Sequence, residues 1–384
     1  MQPTTPAFTR RQALGTLVAS ALPLQGALAQ STASADSGDI VIGQSAHLSG
    51  PLASQLVAVL KGQDLALTEF NGKGGVNGRR VKLVTLDDAY DAKLCVENVS
   101  KLVDEHKAIA LFGFANTAGV AASMPVLLEK KIPLIGVYSG SPSLREKQHP
   151  YFFTTTASYR DEVVQMMRNQ GALGRSRVGL VYNNSAFGKL MLPVVEEVAK
   201  EHGITIVAKA SLEMSGSDAM AATQAMAAER PQAIVVMAFG PSLLPFIKAE
   251  RAQIGVPLYC PGIANSRQLI AALGDEARGL GFTVVIPYPF TATQSVTRDF
   301  RKAMATAGIT VDYDHFFGYL NMRTLLAVLA RAGKNITPQT IVSTLERMKN
   351  VDIGGYTLDF SPTNHHGSKF VETVVVGPGG RYMR

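Results

Sequence analysis

Ile109-Ala110-Leu111-Phe112 runs directly into Gly113-Phe114-Ala115-Asn116-Thr117-Ala118-Gly119, and a helical stretch to Lys131 separates it from the next apolar run, Leu134 to Val137. A run of four apolar residues bounded by glycine has the length of a buried strand, too short for a helix. Asn116 or Thr117 is placed to cap the helix that follows, whose free amides then face whatever lies beyond the strand's carboxyl end. The second strand ends the same way, in Tyr138-Ser139-Gly140-Ser141-Pro142. Two strands apolar on both faces, joined through a helix, make a parallel sheet covered on both sides.

The same alternation extends in both directions. Ile40 to Ile42, Val81 to Leu86, Val178 to Tyr182, Ile234 to Phe239 and Phe282 to Ile286 are further short apolar runs. Helical periods lie between them, for instance Leu56, Val59, Leu60, Leu67 and Phe70, then Val96, Val99, Leu102 and Val103. The pattern predicts an α/β doubly wound sheet, built once from Ile40 to about Pro150 and again from Tyr159 to Ile286. Tyr151 to Thr156 is extended and Thr-rich, a crossover between the two series. Helices near Thr293 to Ala307, Tyr313 to Ala332 and Pro338 to Met348 follow, then β segments at Tyr356 to Phe360 and Phe370 to Val376. A tail of helices and then strands must return to lobes already built, so the chain crosses between lobes more than once. A length of 384 residues also favours two cores over one.

The first residues read as an address. Arg10 and Arg11 precede the uncharged stretch Ala13 to Leu24, and Ala27-Leu28-Ala29 supplies an Ala-x-Ala end. A signal peptide over residues 1–29 is expected, of twin-arginine type or an ordinary secretory one, with residues 30–38 a flexible mature N-terminus. An amphipathic helix of the fold is the competing reading, and no helix-period polar face supports it. Removing the leader takes two arginines from the formal +7 and leaves about +5, with no basic block interleaved with aromatics to engage nucleic acid. Cys95 and Cys260 are too few for a disulfide framework, and buried free thiols are expected. No apolar run reaches the length of a membrane span.

Catalytic signatures are missing. There is no GxGxxG after the first strand, no GxxxxGK[ST] and no GxSxG. His365-His366 lacks a metal-ligand partner spacing and reads as a solvated or hinge turn. Asp87-Asp88 and Asp312/Asp314 read as helix caps or dipole partners. An exported α/β enzyme built on Asp87, Asp88, His47 or His315 remains the alternative class, without a readable nucleophile, base and orienter.

Several segments, taken together and in order, resemble the periplasmic leucine/isoleucine/valine-binding protein family. They are Gly62-Gln63-Asp64-Leu65-Ala66-Leu67, Gly74-Gly75-Val76-Asn77-Gly78-Arg79, Leu86-Asp87-Asp88-Ala89-Tyr90-Asp91, Ala186-Phe187-Gly188, Gly274-Asp275-Glu276-Ala277-Arg278-Gly279 and His366-Gly367-Ser368. The resemblance implies the type I periplasmic binding fold: two Rossmann-like lobes on a three-segment hinge, closing over a ligand. It divides the chain into lobe 1 (39–155 plus 288–367) and lobe 2 (156–287 plus 368–384). It also implies a monomer in the periplasm that delivers a small carboxylate or amino-acid ligand to ABC transporter permease subunits. An exported sensor signalling to a receptor is the other use of the same fold.

Carried over by the resemblance, Asn116, Thr117, Ser139, Gly140 and Ser141 would hold the ligand's carboxylate. Gln55, Tyr159, Phe187, Phe239, Gly240 and Ile263 would complete the site. No metal, cofactor or catalytic residue is expected. Amino-acid binders of the family place an acidic residue of the second lobe at the ammonium. The matching stretches, Ala238 to Pro241 and Cys260 to Asn265, contain no carboxylate. A buried ammonium without an anion is costly, so an aromatic or short organic acid is the expected ligand, ahead of an amino acid.

Overall fold

A computed structural model describes residues 38–50 and 52–384. The expected leader, residues 1–29, and nearly all of the 30–38 segment lie outside the described residues. The first series is β1 (Ile40–Ala46), α1 (Val57–Gly72), β2 (Val81–Asp87), α2 (Ala92–Asp104), β3 (Ala110–Phe112), α3 (Thr117–Lys130), β4 (Leu134–Ile135) and β5 (Phe152–Phe153). Its five strands form one all-parallel sheet in the order β2-β1-β3-β4-β5. The second series is α4 (Tyr159–Ala172), β6 (Arg177–Asn183), α5 (Ala186–Glu201), β7 (Thr205–Leu212), α6 (Ala219–Glu229), β8 (Ala233–Met237), α7 (Leu243–Gln253), β9 (Leu258–Cys260), α8 (Arg267–Leu273) and β10 (Gly281–Val284). The tail adds α9 (Ser295–Thr306), α10 (Tyr313–Arg331), α11 (Pro338–Leu345), the hairpin β11 (Val351–Asp352) and β12 (Thr357–Leu358), then β13 (Glu372–Val376) and β14 (Tyr382–Met383). β13 and β14 join the second sheet antiparallel, giving the order β14-β13-β10-β9-β8-β6-β7. We call each sheet with its packed helices a lobe.

The tail is shared. α10 packs against α1 of the first lobe while β13 and β14 extend the second sheet. α10 is buried on nearly every side, which is why its apolar residues follow no single stripe. The α1–α10 crossing depends on two glycines. A Cβ on Gly62 would sit 1.9 Å from the His315 carbonyl oxygen, and one on Gly318 would sit 1.9 Å from that of Val59.

Strand positions follow the apolar runs, with differences at their ends that have local causes. β4 stops at Ile135 because Gly136 turns at φ +65° and gives its carbonyl to the Asn321 side chain. β8 stops at Met237 rather than Phe239, and β10 at Val284 rather than Ile286, where the chain leaves the sheet. β7 and β9 were not marked by continuous apolar runs: β7 is a half-exposed edge strand and β9 has only three residues. Asn116 caps α3 by accepting from the Gly119 amide at 3.0 Å, and Asp312 caps α10 at the His315 amide. The helix after β2 is capped by Asp91, however, and Asp87 turns instead to the first loop, accepting from the Leu48 amide and the Ser49 hydroxyl.

The crossings lie side by side. Thr154 pairs with His366: its amide donates to the His365 carbonyl, and the Gly367 amide donates to its own carbonyl. The Tyr356 hydroxyl donates to the Thr155 carbonyl at 2.7 Å, and Arg145 donates to that of Thr156 at 2.9 Å. The His-His turn belongs to this hinge. His365 is buried rather than solvated, its ring stacked on Phe153 with centroids 3.9 Å apart.

Because the neighbours of Gly62 and Gly318 are backbone atoms, they cannot rotate aside. Gly62→Ala or Gly318→Ala is expected to force α1 and α10 apart and destabilise the fold by about 2 to 3 kcal/mol, the range of overpacked cores. Urea unfolding of each variant beside an exposed control, Gly72→Ala, which meets nothing within 4 Å, measures this.

Candidate functional site

The carboxyl ends of both parallel sheets face the junction of the lobes, where open α/β sheets bind ligands. A small space of about 50 Å³ lies there, bounded by Tyr138, Gly140 and the start of α10 on one side and by the start of α4 and the loops after β9 and β10 on the other. A single water needs roughly 10 to 15 Å³ measured this way, so the space holds a few waters and is narrow for a larger molecule.

Helix phase decides what lines this space. Ser158 caps α4 in a reciprocal box with Asp161, which fixes the first turn so that Tyr159 and Glu162, three residues apart, share one face toward the cavity. The Tyr159 amide donates to the Gly140 carbonyl at 2.8 Å, a direct backbone bond between lobes. Gly140 is required there, since a Cβ would lie 2.8 Å from the Tyr159 ring. On the opposite wall, Asp314 and Phe317 share a face of α10 in the same way, and Tyr138 packs edge-on against Phe317 at 4.8 Å.

Glu162 and Asp314 therefore bring one carboxyl group from each lobe to the same small cavity. The Glu162 side chain is 2% exposed. One of its oxygens accepts from the Gly262 amide at 2.7 Å and the Thr283 hydroxyl at 2.6 Å. Burial pushes its carboxyl up to about 7 against the pull of those bonds. Burial, and then the neighbouring Asp312, pushes Asp314 up to about 7 as well. Near neutrality the two acids stand at the edge of ionisation, and a cation between them would favour the charged forms.

Of the residues nominated from sequence, Gly140, Tyr159 and Ile263 line the cavity. Tyr159, Phe187 and Phe239 form a run of edge-on rings with centroids 5.2 and 5.3 Å apart, leading away from it. Thr117, Ser139 and Ser141 form a hydroxyl strip contiguous with Gly140. The Thr117 hydroxyl donates to Ser139 Oγ at 2.7 Å, and the Ser141 amide to the same oxygen at 3.2 Å. Beside that strip, Asn116 Nδ2 and both ring nitrogens of His47 are buried without a protein partner. Gln55, Asn116, Thr117, Ser139, Ser141, Phe187, Phe239 and Gly240 do not line the cavity.

Sequence reasoning missed Glu162, Asp314, Tyr138 and Phe317. The absence of an acid from Ala238 to Pro241 and Cys260 to Asn265 holds, but the second lobe supplies its carboxylate from α4, where the Tyr159 to Glu162 spacing was the available signal. Cys95 and Cys260 are free and buried, their thiols pushed up by burial to about 11 and about 12, so neither is a nucleophile. No group of three or more metal-ligating side chains occurs among the described residues.

This architecture, two α/β lobes meeting at a largely apolar cavity that holds two acids, is that of a bilobal ligand-binding protein. A family model described as periplasmic binding protein matches residues 39–380, and the chain belongs to that family. The Leu/Ile/Val-binding protein BraC3 of Rhizobium johnstonii is 24% identical over 320 residues, covering 82% of this chain and 85% of that one. A solved substrate-binding periplasmic protein of Ralstonia solanacearum is 30% identical, with a TM-score of 0.81, over 90% of this chain and 99% of that one. The fold is shared, at 20% identity and 90% coverage of this chain, by a Thermus thermophilus branched-chain amino acid ABC transporter protein solved with valine (TM-score 0.79, 94% of that chain) and by an R. palustris solute binding protein solved with benzoate (TM-score 0.76, 95% of that chain). The protein is thus a member of a family described as periplasmic binding proteins, and its two-lobed fold is that of a protein that binds a small ligand between the lobes.

The raised carboxyl of Glu162 has a stability consequence. Between the ordinary glutamate range and about 7 the folded chain holds a proton that the unfolded chain releases, so stability falls as pH rises through that window. Glu162→Gln removes this term. Its unfolding free energy is expected to drop less than that of the wild type between about pH 5 and pH 8, by on the order of 3 kcal/mol. Denaturant titrations at the two pH values test it; an unchanged difference would place Glu162 ionisation below pH 5.

Proposed function

We propose that this chain is exported by its N-terminal leader, cleaved after Ala29, and captures a small zwitterion, an α-amino acid, for delivery to an ABC permease. The observation that carries this reading is the pair Glu162 and Asp314, two buried acids from opposite lobes on one cavity. A purely anionic ligand would meet them as they ionise, whereas an ammonium group beside either carboxyl favours its ionised form. The ligand's carboxylate sits at the Thr117, Ser139 and Ser141 strip, where the buried Asn116 Nδ2 also needs an acceptor. The closing motion couples capture to transport, since the ligand bridges groups on both lobes.

An amino-free organic acid is the second reading, favoured by the same two carboxyls in a different protonation state. Protonated Glu162 and Asp314 can each donate a hydrogen bond to an anion, and the aromatic run from Tyr159 to Phe239 suits a planar body. The two readings respond oppositely to pH. An ammonium ligand binds the ionised acids, so its affinity rises as pH climbs through about 7, while an anion held by protonated acids binds more weakly.

Calorimetric titration of the mature protein with leucine, valine, benzoate and short keto acids at about pH 6 and pH 8 decides between them. Amino acids are expected to bind, several-fold more tightly at the higher pH, with Glu162→Gln costing roughly tenfold or more. Binding of amino-free acids that tightens toward pH 6, with no response to amino acids, overturns the proposal.

A further inference from the structure

A second and larger concavity, of about 760 Å³, opens beside the central cavity. That volume lies within the usual range of small-molecule sites, roughly 300 to 1,000 Å³. One wall is the start of α8 and the turn before β14, in the second lobe; the other is Thr310 and Val311, just ahead of α10. Its floor is aromatic. Phe290 stacks on Tyr382 with centroids 5.3 Å apart and 23° between planes, and Tyr288 packs against Phe290 at 5.1 Å. The Tyr288 hydroxyl donates to the Tyr382 carbonyl at 2.7 Å, which fixes that floor across the crossing segment.

Arg267 and Arg381 both line the groove, and neither has a carboxylate within salt-bridge distance among the described residues. Arg267 makes a single long hydrogen bond, 3.4 Å to the Val311 carbonyl on the facing wall. Most of its planar donor fork is left for another acceptor. Asp275 is the one acid on the groove, so the lining charge is net positive. The groove is walled off from the central cavity by Tyr382, whose hydroxyl donates to Asn265 and whose ring meets Tyr313 edge-on at 5.2 Å. Asn265 and Tyr313 line the central cavity on the other side of that wall.

We propose that this groove is a second ligand site, separate from the central cavity, that takes a small organic anion with a planar apolar body. The carboxylate lies between the guanidinium groups of Arg267 and Arg381, in the bidentate geometry that arginine offers, and the planar body lies on the Tyr288, Phe290 and Tyr382 floor. The central cavity does the opposite chemistry: it presents acids, and this groove presents arginines.

The test uses the whole protein with benzoate and acetate as probes, read by ligand-observed fluorine NMR of 4-fluorobenzoate and by calorimetry. Benzoate is expected to bind saturably and at least tenfold more tightly than acetate. Arg267→Ala with Arg381→Ala should weaken it tenfold or more, while Glu162→Gln and Ser139→Ala in the central site leave it unchanged. Lys substitution at both arginines should restore part of the affinity, since charge is retained and the fork is lost. No saturable benzoate binding, equal binding of acetate, or benzoate binding that survives the double alanine variant would each overturn the proposal. Circular dichroism of every variant verifies that the fold is kept.

Discussion

Much of this fold depends on two segments that cross between the lobes side by side with their backbone groups paired. Thr154 exchanges amide and carbonyl bonds with the His365 to Gly367 segment, and the Thr155 and Thr156 carbonyls are taken by Tyr356 and Arg145. Tyr356 and the His365 to Gly367 segment come from far along the chain, while Arg145 is a near neighbour in sequence. An unpaired buried carbonyl or amide costs about as much as a lost hydrogen bond, so the crossings stabilise one another and none can form alone. Asn321 extends the arrangement to α10, taking the Thr155 hydroxyl at 2.7 Å while donating to Gly136. The hinge and the packing of the returning helix are thereby one structure. Motion between lobes has to be accommodated in backbone torsions of these segments, without opening their hydrogen bonds.

That rigidity explains how two acids come to share so small a cavity. Neither Glu162 nor Asp314 is placed by a loop. Each sits in the first turn of a helix whose cap is locked, by Ser158 with Asp161 and by Asp312 at the His315 amide. Helix N-termini favour negative charge, which offsets part of the burial cost, and the Gly262 amide and Thr283 hydroxyl offset more for Glu162. What remains is a pair of groups whose protonation answers to whatever lies between them.

The architecture was legible because buried parallel strands are apolar on both faces and announce themselves as runs, as Ala110 to Phe112 and Ala233 to Met237 do. The strands that escaped lacked that property: Thr205 to Leu212 faces solvent along much of its length, and Leu258 to Cys260 is too short for periodicity. Of the small polar residues at strand ends, Gly140 lies on the cavity, and Ser139 and Ser141 flank it in sequence. The acids were not legible, because whether Glu162 points inward depends on the phase of α4, fixed by its cap, and on a lobe separated from Asp314 by more than a hundred residues. The acid that meets the loop after β9 comes from a helix face, with Glu162 of α4 accepting from the Gly262 amide.

Cys95 and Cys260 bear on how this protein reaches its compartment. Both are buried reduced thiols, and neither is bonded to the other. The described fold thus holds no disulfide between them and does not depend on their oxidation. A chain of this kind can complete its fold in the reducing cytosol and travel as a finished globule, or cross as an extended thread and fold afterwards without a disulfide catalyst. Under the proposed export, the leader with its paired arginines at positions 10 and 11 would set the route, and a body without a crosslink suits either one.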